Sequence, residues 1–389
     1  MKKQLTTIIT LCCLVWLASA CRENEYEEQI IPSTETQVTP GVEGTKLKGF
    51  FLLNEGNMGS NKASLDYFDY GTGRYTKNLF AERNPNVVKE LGDVGNDIQI
   101  YGSKLYAVIN CSHFVEVMDA QTARHLAVIS IPNCRYITFA GKYAYVSSYA
   151  GPVQIDPNAR LGYVAKIDTT DFRIVATCVV GYQPEELVVV DNKLYVANSG
   201  GYRVPDYDNT LSVIDLETFT ETKKIEVGIN LHRLEKDNYG YIYVSSRGDY
   251  YGTPSKTFIL NTRTEEVSDA LNPLPCSNMT LCGDRLYLYS TEWSYVTNSN
   301  EVSYAIVDTK TRKVITRNFI TDGTEKKIKI PYGLAVNPES GEILVTDAGN
   351  YVTPGTLYCF RPDGTKKWEV ETGDIPAHIT FTTERLKDQ

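Results

Sequence analysis

The sequence predicts an all-β fold, a seven-bladed β-propeller whose ring is closed by a C-terminal strand that completes the N-terminal blade. The first observation is residues 181–228, where short runs of β-branched and aromatic residues alternate with turn residues and predict four strands in one unit. The second observation is that this unit recurs along the chain. A four-stranded unit of this size cannot bury both of its faces alone, so its recurrence indicates copies packed side by side.

Two sequence markers identify the repeats. The first is a large apolar residue at the centre of the second strand, found seven times, at Phe51, Tyr106, Tyr145, Tyr195, Tyr243, Tyr287 and Leu344. The second is an Asp or Asn whose side chain can bond to the turn after the third strand, at Asp69, Asp119, Asp168, Asp215, Asn261, Asp308 and Asp363. Seven all-β units spaced by roughly 40 to 55 residues are typical of propeller blades.

The two ends of the chain complement each other. The first unit has predicted strands near 49–54, 64–69 and 73–80, but it lacks the inner strand that precedes the first marker in every other unit. Residues 375–381, IPAHITF, supply such a strand after the last unit. We therefore expect this strand to complete the first blade, which removes a free sheet edge.

Residues 1–20 predict an export signal, because Lys2 and Lys3 precede an apolar run and small residues lead into Cys21. The ending Ala-Ser-Ala-Cys resembles the lipobox of bacterial lipoproteins, which implies that Cys21 is lipidated; plain secretion is the alternative. Residues 21–46 are rich in Glu, Thr and Pro and predict a flexible tether. The propeller domain is then expected to span residues 47–389.

The acidic residues directly after Cys21 resemble the surface-export signal of Bacteroidetes lipoproteins. This resemblance implies an outer-membrane protein that faces the cell exterior, with a tether facing the periplasm as the alternative. No later segment approaches the ~20 apolar residues of a spanning helix, so the lipid is the only membrane attachment that the sequence predicts.

Composition excludes some classes of partner. The chain has 389 residues, a net charge of −9 and no basic patch, which argues against nucleic acid. Beyond Cys21, six cysteines occur at irregular spacing without a CxxC motif, and most are expected to be small core residues. The one disulfide that the sequence predicts joins Cys111 and Cys134.

The run LYVAN, followed by NTLSVIDLETFTETKKIEVG, resembles the YVTN repeat of the YncE-like seven-bladed propellers. The likeness extends more loosely over residues 48–382. It is specific for the fold and weak for function, because propellers carry many different activities.

The repeat predicts one functional face. The loops that join second to third strands lie at the same end of the ring as the connections between units, and five of these seven loops are long. Their aromatic residues are predicted to wall a ligand-binding bowl: Tyr149, Tyr202, Tyr207, Tyr250, Tyr251, Trp293, Tyr295 and Tyr351. The alternative is that these aromatic residues only pack one loop against another.

Residues just before each inner strand are predicted to form the floor of this bowl. Those expected to offer polar contacts are Asn96, Asp97, Arg135, Glu185, His232, Arg233, Tyr332 and His378. Their mixed charge suits a large neutral polar ligand better than a single ion. For each of them a hydrogen bond between blades is at least as good an interpretation.

Enzyme signatures are weak. The chain has four His, no HExxH and no GxSxG, so the sequence predicts no catalytic residue, no metal site and no cofactor. The carboxylates of Asp97, Glu185 and Glu186 could at most imitate the metal site of lactonase-type propellers.

A lipoprotein propeller with a wide, tyrosine-rich face resembles the BtuG family of Bacteroides, which binds cobalamin and passes it to a TonB-dependent transporter. The likeness lies in architecture, leader and the tyrosine-rich face, and no ligand-contact motif matches position by position. It implies that cobalamin (vitamin B12) is the transported ligand and that such a transporter is the partner. The alternatives are a lactonase or other hydrolase and a scaffold that docks a protein or a glycan.

Overall fold

The structure is a computed structural model that describes residues 32–87, 90–294 and 299–387. The predicted leader and the predicted lipidation site, Cys21, lie outside these ranges. Within them the chain forms 29 β-strands, one short α-helix and one 3₁₀ helix. Neither helix is long and apolar enough to cross a membrane.

The strands form seven antiparallel sheets, here named blades 1 to 7. Blade 1 contains β1 (Thr34–Gln37), β2 (Gly49–Asn54), β3 (Ser64–Asp69) and β4 (Arg74–Lys77). Blade 2 contains β5 (Gly95–Tyr101), β6 (Lys104–Ile109), β7 (Phe114–Asp119) and β8 (His125–Ser130). Blade 3 contains β9 (Cys134–Ala140), β10 (Tyr143–Ser148), β11 (Tyr163–Asp168) and β12 (Ile174–Val179). Blade 4 contains β13 (Pro184–Val190), β14 (Lys193–Asn198), β15 (Thr210–Asp215) and β16 (Thr220–Glu226).

The remaining blades follow the same pattern. Blade 5 contains β17 (Leu231–Lys236), β18 (Tyr241–Ser246), β19 (Lys256–Asn261) and β20 (Val267–Ser268). Blade 6 contains β21 (Asn278–Cys282), β22 (Arg285–Ser294), β23 (Ser299–Asp308) and β24 (Lys313–Thr316). Blade 7 contains β25 (Pro331–Val336), β26 (Ile343–Asp347), β27 (Pro354–Phe360) and β28 (Lys366–Asp374), and β29 (Pro376–Thr382) returns to blade 1. Helix α1 (Leu79–Arg83) follows blade 1, and the 3₁₀ helix (Thr324–Lys326) precedes blade 7.

The blades form a closed ring, as the sequence predicts. The inner strands β29, β5, β9, β13, β17, β21 and β25 contact one another in that order, and β25 in turn contacts β29. The closing strand β29 pairs with β2 in register from Gly49↔Thr382 to Leu53↔His378. The prediction that residues 375–381 complete the first blade is therefore confirmed.

Each repeat marker has the structural role that its residue type predicts. All seven second-strand markers are buried, and the apolar clusters that contain them join neighbouring blades. At the hairpin markers, Asp215 accepts backbone hydrogen bonds from Glu217 and Thr218 at 3.0 and 2.9 Å, and Asp308 accepts one from Thr311 at 2.7 Å. The marker residues thus pack the blades together and fix the outer hairpins.

The segment expected to be a tether, residues 21–46, differs from that expectation at Thr34–Gln37. These residues form β1, which pairs with β4 and adds a fifth, outermost strand to blade 1. All four side chains are exposed. The strand is therefore held by backbone hydrogen bonds rather than by apolar burial, and composition gives no sign of such an interaction.

The predicted disulfide between Cys111 and Cys134 is wrong, because both cysteines are free in the structure. Cys134 is fully buried, and its Sγ donates to the carbonyl of Phe114 at 3.3 Å. The Cys111 thiol instead donates to Asn110 Oδ1 at 3.4 Å, at the edge of a cavity described below. The other four cysteines in the described ranges are free as well.

The joint between blades 7 and 1 can be tested at Gly333. A Cβ at this position would lie 2.5 Å from the carbonyl oxygen of Ala377 in β29, so Gly333→Ala must push the two inner strands apart. We expect a loss of about 1 to 3 kcal/mol in the free energy of unfolding, measured by urea denaturation. The matched control is Gly151→Ala, where the added Cβ would have only one neighbour, at 3.9 Å. Equal stability of the two variants would contradict the close contact at this joint.

Candidate ligand-binding site

A cavity of about 980 Å³ lies at one end of the ring, and all seven blades contribute to its lining. Its walls come from loops between second and third strands, and its floor comes from residues at the start of the inner strands. These are the two sets of segments that the repeat predicts for the functional face. The volume is near the upper end of the range for small-molecule pockets, which is about 300 to 1,000 Å³.

The floor residues lie in β-bulges. In β9, β13, β17 and β25, two residues oppose a single residue of the second strand, and these pairs are Arg135-Tyr136, Glu185-Glu186, His232-Arg233 and Tyr332-Gly333. The inner strands β5 and β29 have similar irregularities, at Asn96 and Ala377. A bulge takes residues out of the regular ladder and redirects their side chains. The bulges therefore aim the polar groups of the floor.

Hydroxyl groups of the second strands bond to the backbone N–H groups that these bulges release. Tyr136 N donates to Ser147 Oγ at 3.1 Å, and Arg233 N donates to Ser245 Oγ at 2.9 Å. Ser147 then donates to the carbonyl of Glu185 in the next blade at 2.7 Å. The same hydroxyl thus satisfies a bulge and links two blades, which leaves the floor without an orphaned backbone donor at this point.

Backbone strain accompanies the bulges in blades 1 to 5. The residue two positions before each floor residue has a φ between 42° and 61°, and these residues are Val94, Asn133, Gln183, Asn230 and Ile375. Left-handed conformations cost of the order of 1 kcal/mol for residues other than glycine, and β-branched residues such as Val94 and Ile375 rarely adopt them. The fold thus holds strained backbone around the cavity. Strained residues in proteins often cluster at functional sites.

Glu185 is the electrostatic centre beneath the floor. Its carboxylate is fully buried and accepts hydrogen bonds from Arg135 Nε at 3.0 Å, Arg247 Nη1 at 3.1 Å and Tyr149 OH at 2.6 Å. Burial alone would raise the pKa of the Glu185 carboxyl, but the charges of Arg135 and Arg247 outweigh this effect and hold the pKa below its usual range. Both arginines line the cavity, so this buried carboxylate positions two cationic groups of the floor.

Tyr136 connects the cationic groups to His232. The guanidinium carbons of Arg135 and Arg233 lie 5.8 and 5.0 Å from the centre of the Tyr136 ring, which is cation–π range. The Tyr136 hydroxyl is 2.9 Å from His232 Nε2. Burial lowers the pKa of His232 far below its usual value, and the charges of Arg247, Arg233 and Arg135 lower it further. His232 is therefore a neutral imidazole at physiological pH.

Three carboxylates near the floor join neighbouring inner strands. Asp97 Oδ2 accepts from Ile137 N at 3.0 Å, and Glu186 Oε2 accepts from Leu234 N at 2.6 Å. The third is Glu235, whose carboxylate accepts a backbone hydrogen bond from Leu281. Burial raises the pKa of all three carboxyls, that of Glu186 to about 7 and that of Glu235 to about 8. These groups link the blades, as the interpretation as interblade bonds predicts.

The rim of the cavity carries exposed aromatic groups. Tyr250 and Tyr251 follow β18 and leave 60% and 84% of their surface exposed, and Tyr351 follows β26 and leaves 40% exposed. All three line the cavity, together with Tyr202. Aromatic surface of this size is costly to leave in water and is typical of binding sites.

Nine residues that the sequence predicts for the site line this cavity: Asn96, Arg135, Tyr202, His232, Arg233, Tyr250, Tyr251, Tyr332 and Tyr351. Five others do not: Asp97, Tyr149, Glu185, Tyr207 and His378. Glu185 and Tyr149 are buried beneath the floor, bonded to each other. The backbone of Trp293 belongs to β22, but its side chain is not described, and Tyr295 falls in the gap between 294 and 299.

The other three predicted residues have structural surroundings of their own. Asp97 bonds to backbone groups of β5 and β9. His378 Nε2 lies 3.7 Å from Glu55 Oε1, and its ring meets the Tyr136 ring edge to face at 6.2 Å. Tyr207 lies in the loop before β15, outside the lining. These three side chains therefore lie outside the lining of this cavity, and their part in binding stays a prediction.

Sequence reasoning missed several lining residues, among them Glu55, Arg247 and Tyr289. Glu55 accepts a hydrogen bond from the Tyr332 hydroxyl at 2.8 Å. Glu55 and Arg247 lie at the start of loops that the sequence assigns to this face, and the prediction for these loops names only aromatic residues. A charged residue directly after the second strand was the signal that could have identified both.

Among the described residues, no group of three or more His, Cys, Asp or Glu side chains is arranged to hold a metal ion. The carboxylates named for a lactonase-type site are engaged elsewhere. Both oxygens of Glu185 accept hydrogen bonds from arginine or tyrosine, and both oxygens of Asp97 accept from backbone N–H groups. Their lone pairs therefore already serve protein donors.

Residues 48–374 match the family described as a domain of unknown function, DUF5074. The chain belongs to this family. The match runs from the start of β2 to the end of β28, so the DUF5074 domain contains nearly the whole ring. No curated protein matches the sequence.

Solved structures show where the DUF5074 fold recurs. A hypothetical selenium-binding protein from Sulfolobus tokodaii has a TM-score of 0.60 and 10% identity, and the alignment covers 89% of this chain and 96% of that one. A quinonprotein alcohol dehydrogenase-like protein from Bacteroides thetaiotaomicron has a TM-score of 0.58 and 15% identity, with 87% and 79% covered. Hydrazine synthase from Kuenenia stuttgartiensis has a TM-score of 0.54 and 14% identity, with 69% and 77% covered. At these identities the likeness shows the fold alone.

The role of Glu185 in holding the floor can be tested by substitution. Glu185→Gln removes the charge that balances Arg135 and Arg247, so we expect a loss of about 3 kcal/mol in the free energy of unfolding. Urea denaturation measures the change. The control is Glu371→Gln, since the Glu371 side chain is 70% exposed and pairs with Lys77 on the surface. A cost for Glu185→Gln no larger than for the control would show that the buried cluster does not hold the floor.

Glu235 predicts how stability depends on pH. The folded-state pKa is about 8 and the reference value is 4.5, so between these values the folded state binds a proton that the unfolded state has released. The contribution of Glu235 to stability should therefore rise as the pH falls from 8.5 to 5. Glu235→Gln removes this term and should be more stable than wild type at pH 8.5 by about 2 kcal/mol, a figure reduced for partial exposure.

Thermal and urea unfolding at several pH values measure this difference, which should shrink toward zero at pH 5. Glu217→Gln, in an exposed turn, is the control and should follow the wild-type profile. If wild type and Glu235→Gln have the same pH profile, the carboxyl is ionised in the folded state at neutral pH and the prediction is wrong.

Proposed function

We propose that this protein is a binding protein that captures cobalamin in the cavity. The observation that carries the proposal is the cavity itself, about 980 Å³ in volume, with a polar floor and a rim of exposed tyrosines. Large concave sites with a few convergent polar groups are the usual form of small-molecule sites.

The chemistry of the lining supports a broad ligand with many polar edges. Cobalamin is a corrin disc edged by amide arms, so it requires aromatic surface together with many hydrogen-bond donors and acceptors. Tyr250, Tyr251 and Tyr351 offer the aromatic surface, while Asn96 and Asn110 lie among the polar groups of the lining. Tyrosine side chains have few rotatable bonds to freeze, which favours tight binding.

Two features favour capture over the alternative functions. The carboxylates of Asp97 and Glu185 already bond to protein donors, which disfavours a lactonase-type metal site. The face is concave, which favours a small molecule over a flat protein partner. A glycan is the competing ligand class, because aromatic groups and amides also suit sugars.

The proposal extends to location and partner. We propose that the chain is anchored to the outer membrane through a lipid on Cys21, faces the cell exterior and passes its ligand to a TonB-dependent transporter. This part rests on the leader sequence and on the resemblance to the cobalamin-binding propellers of Bacteroides. It predicts a soluble domain that retains binding when residues 1–31 are removed.

A rim substitution tests the proposed ligand. Tyr250→Ala with Tyr251→Ala removes two exposed aromatic groups, so we expect the affinity for cyanocobalamin to fall by about 30-fold with no loss of folding. Isothermal titration calorimetry on residues 32–389 measures the affinity, and co-elution of the coloured ligand in size exclusion gives the stoichiometry. The control is Tyr239→Ala, a partly exposed tyrosine in the turn between β17 and β18 at the other end of the ring.

The wild-type domain is expected to bind one cyanocobalamin. If the Tyr250→Ala, Tyr251→Ala variant binds cyanocobalamin as tightly as the Tyr239→Ala control, the rim is not part of the site. A folded wild-type domain that binds no cyanocobalamin would overturn the proposed ligand, and the same cavity would then be tested with glycans.

A further inference from the structure

Three arginines lie together on one side of the cavity floor. Arg135 comes from β9 in blade 3, and Arg233 and Arg247 come from β17 and the loop after β18 in blade 5. All three line the cavity and keep 14%, 11% and 25% of their side-chain surface exposed. Arg135 and Arg247 bond to the buried Glu185 of blade 4, and Arg233 bonds to the neighbouring Glu186. Blades 3 to 5 thus form a basic side of the floor.

These guanidinium groups have more donors than the protein uses. Each guanidinium has five N–H bonds, yet Arg135 and Arg247 each donate one hydrogen bond, both to Glu185. Arg233 donates one long bond, 3.5 Å, to Glu186, and its Nε is buried without a partner. Buried donors without partners are rare in folded proteins, so their presence here indicates an acceptor that the chain does not supply.

His232 adds a second unpartnered group at the same place. It is 8% exposed and lines the cavity, and its Nδ1 has no hydrogen-bond partner. Its Nε2 is already engaged by the Tyr136 hydroxyl. An unpartnered, nearly buried imidazole nitrogen beside three guanidinium groups is a second observation that points to a bound polar group.

The charges on this side do not cancel. Glu185 balances one of its two arginines, and the pKa of Glu186 near 7 leaves its charge incomplete at neutral pH. Outside blades 3 to 5 the described lining holds two acidic groups, Glu55 of blade 1, which accepts from Tyr332 of blade 7, and Glu292 of blade 6. The floor is therefore dipolar, with an excess of positive charge at blades 3 to 5.

We propose that the floor at blades 3 to 5, formed by Arg135, Arg233, Arg247 and His232, is a subsite for one oxyanion of the ligand. Guanidinium groups recognise phosphate and carboxylate oxygens through paired N–H donors. This inference rests on the proposed function where it names the anion: in cobalamin the matching group is the phosphodiester of the nucleotide loop. It refines the expectation of a wholly neutral polar ligand.

The first experiment uses sulfate as a probe of the oxyanion site, independent of cobalamin. Thermal unfolding is compared in sodium sulfate and in sodium chloride of equal ionic strength for wild type, Arg247→Gln and Arg263→Gln, an arginine in an exposed turn. General salt effects stabilise all three proteins equally. We expect an additional, saturable rise in the wild-type and Arg263→Gln midpoints that is at least halved in Arg247→Gln.

The second experiment compares cyanocobalamin with dicyanocobinamide, which lacks the nucleotide loop and its phosphodiester. We expect the wild type to bind cyanocobalamin about tenfold more tightly, and Arg247→Gln to lose most of that preference by weakening only cyanocobalamin. In Arg247→Gln the Glu185 carboxylate keeps its bond to Arg135, so this variant leaves no buried carboxylate without a charged partner.

The outcomes separate the two proposals. If the sulfate effect is equal in all variants and Arg247→Gln weakens both corrinoids by the same factor, the oxyanion subsite is overturned while cobalamin capture stands. If folded wild type binds neither corrinoid but keeps the sulfate effect, cobalamin is overturned and the oxyanion subsite stands for another ligand.

Discussion

The pairing of β29 with β2 is the contact on which the ring depends. It joins strands more than 300 residues apart in sequence, and it supplies the inner strand without which blade 1 has only a partial sheet. Closing so long a segment costs entropy when the chain between the two strands is flexible, and the folded blades between them reduce that cost. The cavity shares this dependence, because Ile375 and Glu55 enter its lining from the two sides of this joint.

Within the closed ring, a buried carboxylate, that of Glu185, positions the side chains of the floor. Glu185 is buried, yet it orients Arg135 and Arg247, which reach the cavity from blades 3 and 5. Breaking a buried ionic cluster is costly, whereas adding a ligand to it uses donors that are already oriented. For the proposed ligand, part of the cost of ordering these arginine side chains is therefore already met during folding.

The sequence predicted the ring, the blade boundaries and the face that carries the cavity, because strand period, turn residues and repeat spacing are local signals. It did not distinguish the surface of the floor from its support. The sequence predicts Tyr149 in the wall of the bowl, but the residue is buried and its hydroxyl bonds to Glu185, 36 residues later. Arg247 is absent from the prediction because the contact that orients it is made with Glu185, 62 residues away in the sequence. Cross-blade contacts of this kind leave no periodic trace in the sequence.

The bulges of the inner strands have a consequence for how such a propeller changes over time. Each floor residue stands outside the regular ladder of its own blade, and its released backbone donor is satisfied by a hydroxyl such as Ser147 or Ser245. A substitution at a floor position therefore leaves the ladder hydrogen bonds of the other six blades untouched. In terms of the proposed function, ligand preference can therefore change at floor positions that make no bond to another blade, while the ring is kept.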